Sequence, residues 1–300
     1  MTVGALYDEL LGTLSASLSV LPDKPEETPE SCLRALWLKA SGKAVSAASA
    51  MNASLGHLDG NEEQVLRGLI SARLGGKPLA HLTGRQQFMG VDFISTPQAL
   101  IPRKETELLA RFMVELIRGS STPLKEQVVV DVFTGSGNIP LSLAKLLPGP
   151  RYYGGDLSSE AIALAKKNAE FLQLEEQCTF FCGDLLSPFP AEKFSGRVDI
   201  ISGAPPYISS GKLPSMPGET ARNEPSLAFD AGPFGVTFFM RLIKESPPLL
   251  KAGGWLCFEV GLGQGLAMAQ RLQRNPLYAN VKPIVDGNGE IRVVAAQAKG

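Results

Sequence analysis

Val128-Val-Val-Asp-Val-Phe-Thr-Gly-Ser-Gly137 opens on β-branched residues and closes on two glycines. Val128 to Asp131 reads as a strand, because branched side chains fit a pleated sheet. Gly135 and Gly137 let the backbone turn tightly and approach a ligand closely. Ile139 to Leu147 follows as a helix, whose first N–H groups have no intrahelical partner. Strand, glycine turn and helix then recur downstream. Tyr152 to Asp156 reads as a second strand and Ser158 to Leu172 as a second helix. Cys178 to Asp184, Val198 to Ser202 and Trp255 to Val260 read as three more strands. Val281 to Ile284 and Ile291 to Ala296, separated by Asp286-Gly-Asn-Gly289, read as a terminal hairpin. Alternating strands and helices predict an α/β fold with a doubly wound, mostly parallel sheet and an antiparallel edge.

Upstream the pattern changes. To about Gly84 the chain reads as helical, with Leu6, Leu10, Leu11 and Leu14 on one face and Leu33, Leu36, Trp37 and Ala40 on another. Pro22 to Pro29 forms a polar connector. Asn61-Glu-Glu-Gln64 reads as a helix start with Asn61 as N-cap. Phe88, Val91, Phe93 and Ile94 around Gly90 predict a short hairpin. An amphipathic helix carrying Leu108, Leu109, Phe112 and Leu116 follows. The expected organisation is a helical domain over 1–84, a hairpin linker over 85–105 and a catalytic domain over 106–300.

Composition narrows the function classes. The 300 residues include 44% hydrophobic and 20% charged residues, a globular balance with ample core material. A net charge of -1 argues against a broad nucleic-acid footprint. Cys32, Cys178, Cys182 and Cys257 show no zinc-like pairing, and Cys178 and Cys182 read as buried free thiols. His57 and His81 lie far from the motifs, so no metal site is expected. Asp8 and Glu9 near the start do not read as a signal peptide, and no run is long enough to span a membrane. The expectation is a cytoplasmic enzyme.

The strand ends carry acids. Asp131 precedes the glycine turn, and Asp156 stands 19 residues after Gly137. An acid about 20 residues past such glycines typically holds ribose hydroxyls. Gly183-Asp184 ends the third strand, where a carboxylate could accept from an adenine amino group. The dinucleotide fingerprint G-x-G-x-x-G is missing, which disfavours a nicotinamide dehydrogenase. Three acids without a phosphate binder describe an adenosine site, and S-adenosylmethionine fits it. Asp199-Ile-Ile-Ser-Gly-Ala-Pro-Pro-Tyr207 adds a strand running into two prolines and an aromatic ring. Proline fixes φ and removes an N–H donor, so this loop is stiff. A flat polar group could lie against Tyr207.

With these blocks in place, the chain resembles the PrmC/HemK family of class I methyltransferases, which methylate a glutamine side-chain nitrogen in peptide chain release factors. The resemblance is carried by Leu79-Ala-His-Leu-Thr-Gly84, Phe88-Met-Gly90, Ile101-Pro-Arg-Lys-Glu-Thr-Glu107 and Asp131 to Gly137. Asp199 to Ile208, Asn223-Glu-Pro225 and Gly253 to Gly265 extend it over nearly the whole chain. It implies a seven-stranded Rossmann-like sheet behind an N-terminal helical domain that helps grip a protein substrate. It implies S-adenosyl-L-methionine as cofactor and S-adenosyl-L-homocysteine as product. Cofactor contacts are then expected from Asp131, Phe133, Thr134, Gly135, Gly137, Asn138, Asp156, Leu157, Asp184 and Leu185. Ala204, Pro205, Pro206 and Tyr207 are the expected catalytic residues. Arg103, Glu105, Tyr207 and Glu224 are the expected substrate contacts.

Two positions depart from the family pattern. Phe133 stands where the first glycine of D-x-G-x-G-x-G is expected, and Ala204 where Asn-Pro-Pro-Tyr has its asparagine. The family's asparagine carbonyl accepts from the substrate N–H₂, and alanine has no acceptor. Losing one such contact costs about 1–3 kcal/mol. Three readings stay open from the sequence: a different acceptor, an alanine introduced to slow turnover, or a non-catalytic cofactor-binding relative. The first is favoured here, a small polar metabolite offering nitrogen or oxygen. The alternative partner is a release factor, and neither nucleic acid nor membrane is expected as a partner.

Overall fold

The computed structural model describes residues 3–232 and 235–299. It divides into two compact units. The first takes residues 1–97, 101–104 and 217–224, and the second the remainder. The hairpin expected as a linker therefore lies in the first unit.

In the first unit, α1 (Val3–Ser17), α2 (Pro29–Ala40), α3 (Ala47–Ala50), α4 (Gly60–Leu74) and α5 (Leu79–Thr83) precede β1 (Arg85–Phe88) and β2 (Val91–Ile94). Leu6, Leu10 and Leu14 from α1 join Leu33, Leu36 and Trp37 from α2 and Leu66 and Ile70 from α4 in one core. These repeats of three and four residues place each set on one helix face. The N-cap of α4 is Asp59 rather than Asn61. Its Oδ1 accepts from Asn61 N and Glu62 N, both at 2.8 Å, while Glu62 Oε2 accepts from Asp59 N at 2.9 Å. This reciprocal capping box satisfies donors at both ends of the turn, which moves the helix start upstream.

A buried ionic cluster ties residues 217–224 into this unit. Arg73 pairs with Glu27 at 2.7 Å and with Glu219, and Lys24 reaches Glu219 at 2.8 Å. Arg103 Nη2 pairs with Glu224 at 2.7 Å. Burial raises the Glu27 carboxyl to about 7.

The second unit is a seven-stranded sheet with flanking helices. Its elements are α6 (Glu107–Gly119), β3 (Val128–Val132), α7 (Asn138–Leu146), β4 (Arg151–Asp156), α8 (Ser159–Leu172), β5 (Cys178–Cys182), α9 (Ala191–Phe194) and β6 (Val198–Gly203). After α10 (Gly218–Asn223), which belongs to the first unit, come α11 (Thr237–Glu245), β7 (Leu250–Glu259), α12 (Gly265–Gln273), β8 (Tyr278–Val285) and β9 (Ile291–Ala298). The strand order is β5-β4-β3-β6-β7-β9-β8. The first five strands pair in parallel, and β9 pairs antiparallel with both β7 and β8. The chain winds outward from β3 to β5, then returns to β6 on the other side of β3. That reversal opens a crevice at the strands' C-terminal ends. Val130, Val132, Ile201, Leu256 and Phe258 are fully buried in the core beneath it.

All four cysteines are free thiols. Cys182 is exposed, contrary to the expectation of burial. It ends β5, the sheet's edge strand, with its thiol 3.5 Å from Leu157 O. Among the described residues, no helix is long and apolar enough to cross a membrane, and no cluster of three ligating side chains could hold a metal ion.

Candidate active site

The glycine turn leaves β3 through Phe133 at φ 63, Gly135 at φ 53 and Gly137 at φ 78. A phenylalanine in this left-handed region costs about 1–3 kcal/mol. Its ring is held edge-on against Phe238 of α11, with centroids 5.2 Å apart. It also lies against Gly203, where an added Cβ would sit 3.3 Å from Phe133 Cδ2 and 3.0 Å from Val132 O. An edge-to-face aromatic pair returns about 0.5–1.5 kcal/mol, part of the strain.

β4 ends in Gly154-Gly-Asp156 for a steric reason. A Cβ on Gly154 would lie 2.5 Å from Phe180, and one on Gly155 2.9 Å from Phe189. The strand thus sits tightly on the aromatic core and delivers Asp156 to the crevice. Asp156 Oδ2 accepts from Gly135 N at 2.9 Å, and Oδ1 accepts from Ser158 N at 3.0 Å. Burial raises its pKa, opposed by the N–H groups of Ser158, Gly135 and Leu157. With three N–H donors on about four lone-pair positions, the carboxylate keeps acceptor capacity for a ligand.

A cleft of about 840 Å³, its open mouth included, spans these strand ends. Of the residues expected from sequence, Phe133, Gly135, Asp156 and Leu157 line it. So do Asp184, Leu185, Ala204 and Pro206. Leu157 is 56% exposed, an apolar surface open to the cleft, and Leu185 turns its backbone through φ 53. Asp184 is already engaged: Arg241 of α11 donates to its two oxygens at 2.8 and 2.9 Å. That pairing holds the Asp184 carboxyl below its ordinary pKa.

Other expected residues are not among those that line the cleft. Thr134 is buried and donates its N–H to Gly155 O at 3.0 Å, while Gly137 caps α7 just before Asn138. Pro205 is buried. Arg103 and Glu224 are buried and paired with each other in the first unit. Glu105 lies 4.0 Å from Arg292. Tyr207 follows the prolines and does not line the cleft wall.

Asp131, also expected as a cofactor contact, does not line the cleft. It is buried, and Ser202 Oγ donates to its Oδ1 at 2.7 Å across the β3–β6 pairing. Burial pushes this carboxyl up from 3.8 to about 7, against the pull of the Ser202 and Thr134 hydroxyls. A raised folded-state pKa favours the protonated form. Its contribution is fully present below about pH 4 and is lost as pH rises through about 7. Asp131→Asn should therefore gain about 2 kcal/mol over the parent between about pH 5.5 and 8. Parallel denaturant titrations at the two pH values check this, and identical pH slopes in both proteins would refute it.

Several lining residues were not among the expected site residues. Gln98, Ala99 and Leu100 reach the cleft from the segment before α6, and Pro225, Leu227 and Ala228 from the segment before α11. Phe238 is another. Only the glycine turn and the strand-end acids had a readable spacing.

The site fits S-adenosylmethionine. A Cβ built on Gly135 meets nothing within 4 Å, so the turn faces open space. Asp156 borders that space with acceptor capacity to spare. Sheet order, glycine turn and strand-end acid define a class I methyltransferase whose methyl donor is S-adenosylmethionine. The model of a family described as a methyltransferase domain matches residues 124–212. The hMettl16 catalytic domain, solved in complex with a 3′UTR hairpin, shares the fold at TM-score 0.53 and 17% identity. That match covers 76% of this chain and 81% of the other. The release factor glutamine methyltransferase of Moorella thermoacetica is 37% identical over 227 residues, 76% of this chain and 77% of its own length. That of Geobacter sulfurreducens is 35% identical over 240 residues, 80% of each. The chain belongs to the release factor glutamine methyltransferase family, the PrmC/HemK enzymes.

Proposed function

We propose that this methyltransferase acts on the side-chain amide nitrogen of a glutamine in a peptide chain release factor. The observation that carries this reading is the 37% identity, over three-quarters of both chains, to a relative named for that reaction. Bound in the cleft, S-adenosylmethionine would supply an electrophilic methyl group on a sulfonium sulfur: the C–S bond breaks as the N–C bond forms, S-adenosylhomocysteine leaves, and the nitrogen gives up one N–H proton to solvent. Asp156 would hold the ribose hydroxyls, and Leu157 and Leu185, which also line the cleft, would offer apolar surface to the adenine. Asp184, expected to accept from the adenine amino group, does so only by sharing its carboxylate with Arg241.

An amide nitrogen is a weak nucleophile, because its lone pair is delocalised into the carbonyl. Acceptors that bind its N–H groups can aim that pair at the methyl carbon. The main-chain carbonyls of Ala204 and Pro205 are the acceptors proposed here, with Tyr207, outside the cleft lining, following them in the chain. The remainder of the rate comes from alignment. Arg103 and Glu224, paired in the first unit, support that unit's structure in this reading instead of gripping substrate. The helical unit is the proposed grip on the factor.

One observation favours a second reading, transfer to nitrogen or oxygen of a small metabolite. Ala204 shares the cleft with Phe133 and Phe238, so an amide-binding side chain is missing where two rings gather. Labelled S-adenosylmethionine, given together with release factor and a low-molecular-weight extract, separates the two. Label in the factor supports the first reading, and label only in the small-molecule fraction supports the second. Label in neither, with cofactor bound, leaves a non-catalytic relative.

A further inference from the structure

The segment Ala204-Pro-Pro-Tyr207 leaves β6 and ends against a side chain that the reaction as described does not use. Gln264 Nε2 donates to Tyr207 O at 3.1 Å and to Gly235 O at 3.2 Å. Its Oε1 accepts from Gly261 N at 2.9 Å. A primary amide has two N–H donors. Both are spent here on carbonyls from two separate loops, and the oxygen holds a third. Gln264 can do this because it caps α12, with its own N–H donating to Gly261 O at 3.1 Å.

Two glycines make room for the arrangement. A Cβ on Gly261 would lie 2.9 Å from Tyr207 Cδ2 and 2.9 Å from Gln264 Oε1. A Cβ on Gly235 would lie 2.8 Å from Tyr207 O. Ring and carbonyl thus rest directly on backbone. Glu259, buried at the end of β7, completes the surroundings. Burial raises it to about 7, and the Thr106 and Tyr207 hydroxyls favour its charged form.

We propose that Gln264 is a positioning residue for methyl transfer: its amide anchors the main chain at Tyr207 and thereby sets where the Ala204 and Pro205 carbonyls stand. The inference rests on the site reading above. With no side-chain acceptor at 204, main-chain carbonyls carry the aim, and the anchor that fixes them gains weight. A misplacement of about 1 Å from a remote change can cost about 10²-fold in rate.

The test uses full-length protein carrying 3-fluorotyrosine, with Tyr207→Phe assigning the Tyr207 fluorine resonance. Gln264→Leu removes all three hydrogen bonds. Gln264→Glu keeps an acceptor for Gly261 N and regains one O–H donor only when protonated. In both variants cofactor affinity should stay within about twofold, while kcat toward release factor falls about tenfold or more. The Tyr207 resonance should shift or broaden. On going from about pH 8 to about 6, the glutamate variant should recover part of both signals relative to the parent, and the leucine variant neither. That pH-dependent rescue would not arise from a general loss of packing. An unmoved Tyr207 resonance in the leucine variant overturns the anchor. A moved resonance with unchanged kcat overturns its catalytic role. If the parent methylates no release factor, the acceptor reading fails by itself, and the fluorine resonance still decides the anchor.

Discussion

Ala204→Asn should raise kcat/KM for glutamine methylation of a release factor by about 10–100-fold, since one buried hydrogen bond to the reacting amide is worth about 1–3 kcal/mol. Position 204 is the only one in Gly203-Ala-Pro-Pro206 that can carry such a group. A side chain on Gly203 would start 3.0 Å from Val132 O, and prolines offer no acceptor on their rings. Ala204 lines the cleft, so an asparagine there would meet a bound acceptor. The gain should appear in kcat more than in KM, because orientation of the nitrogen matters most in the transition state. Steady-state kinetics on both proteins check it. Equal rates, with a new small-molecule acceptor turned over by the parent alone, would favour the second reading.

Asp156→Ala should weaken S-adenosylmethionine binding by about 10–100-fold, as each hydrogen bond to a charged group contributes about 1.5–3 kcal/mol. The loss compounds, because the same carboxylate accepts from Gly135 N and Ser158 N and so shapes the turn it faces. Asp184→Ala is the control. Its oxygens already answer to Arg241, so its removal should cost less. Calorimetric titration of the two variants decides the matter, and equal losses would refute this division of roles.

The fold was legible where periodicity is strong. Val128 to Asp131, Tyr152 to Asp156 and Val198 to Ser202 read as strands in the sequence, and the structure pairs the strands that contain them in parallel. The terminal hairpin follows from Asp286-Gly-Asn-Gly289, whose residues suit a tight reversal. Its distance to the glycines singles out Asp156, which the structure places in the cleft lining beside Gly135. Asp131 has the same residue type at a strand end, yet Ser202 on the neighbouring strand claims it beneath the crevice. Sequence separation hides such partners. Arg103 finds Glu224 from 121 positions away, and Asp184 finds Arg241 from 57. Nothing local distinguishes a charge paired inside the fold from one kept for a ligand. The anchor on Tyr207 was unreadable for the same reason, because Gln264 reaches it across 57 residues.

The most direct measurement is the site of methylation. Purified protein, S-adenosylmethionine and a release factor carrying its Gly-Gly-Gln motif are incubated, and the digested factor is analysed by tandem mass spectrometry. One added methyl group is expected on the side-chain nitrogen of that glutamine, absent when S-adenosylmethionine is left out. An unmodified glutamine, under conditions where a Moorella thermoacetica relative methylates it fully and this protein demonstrably binds cofactor, would contradict the account.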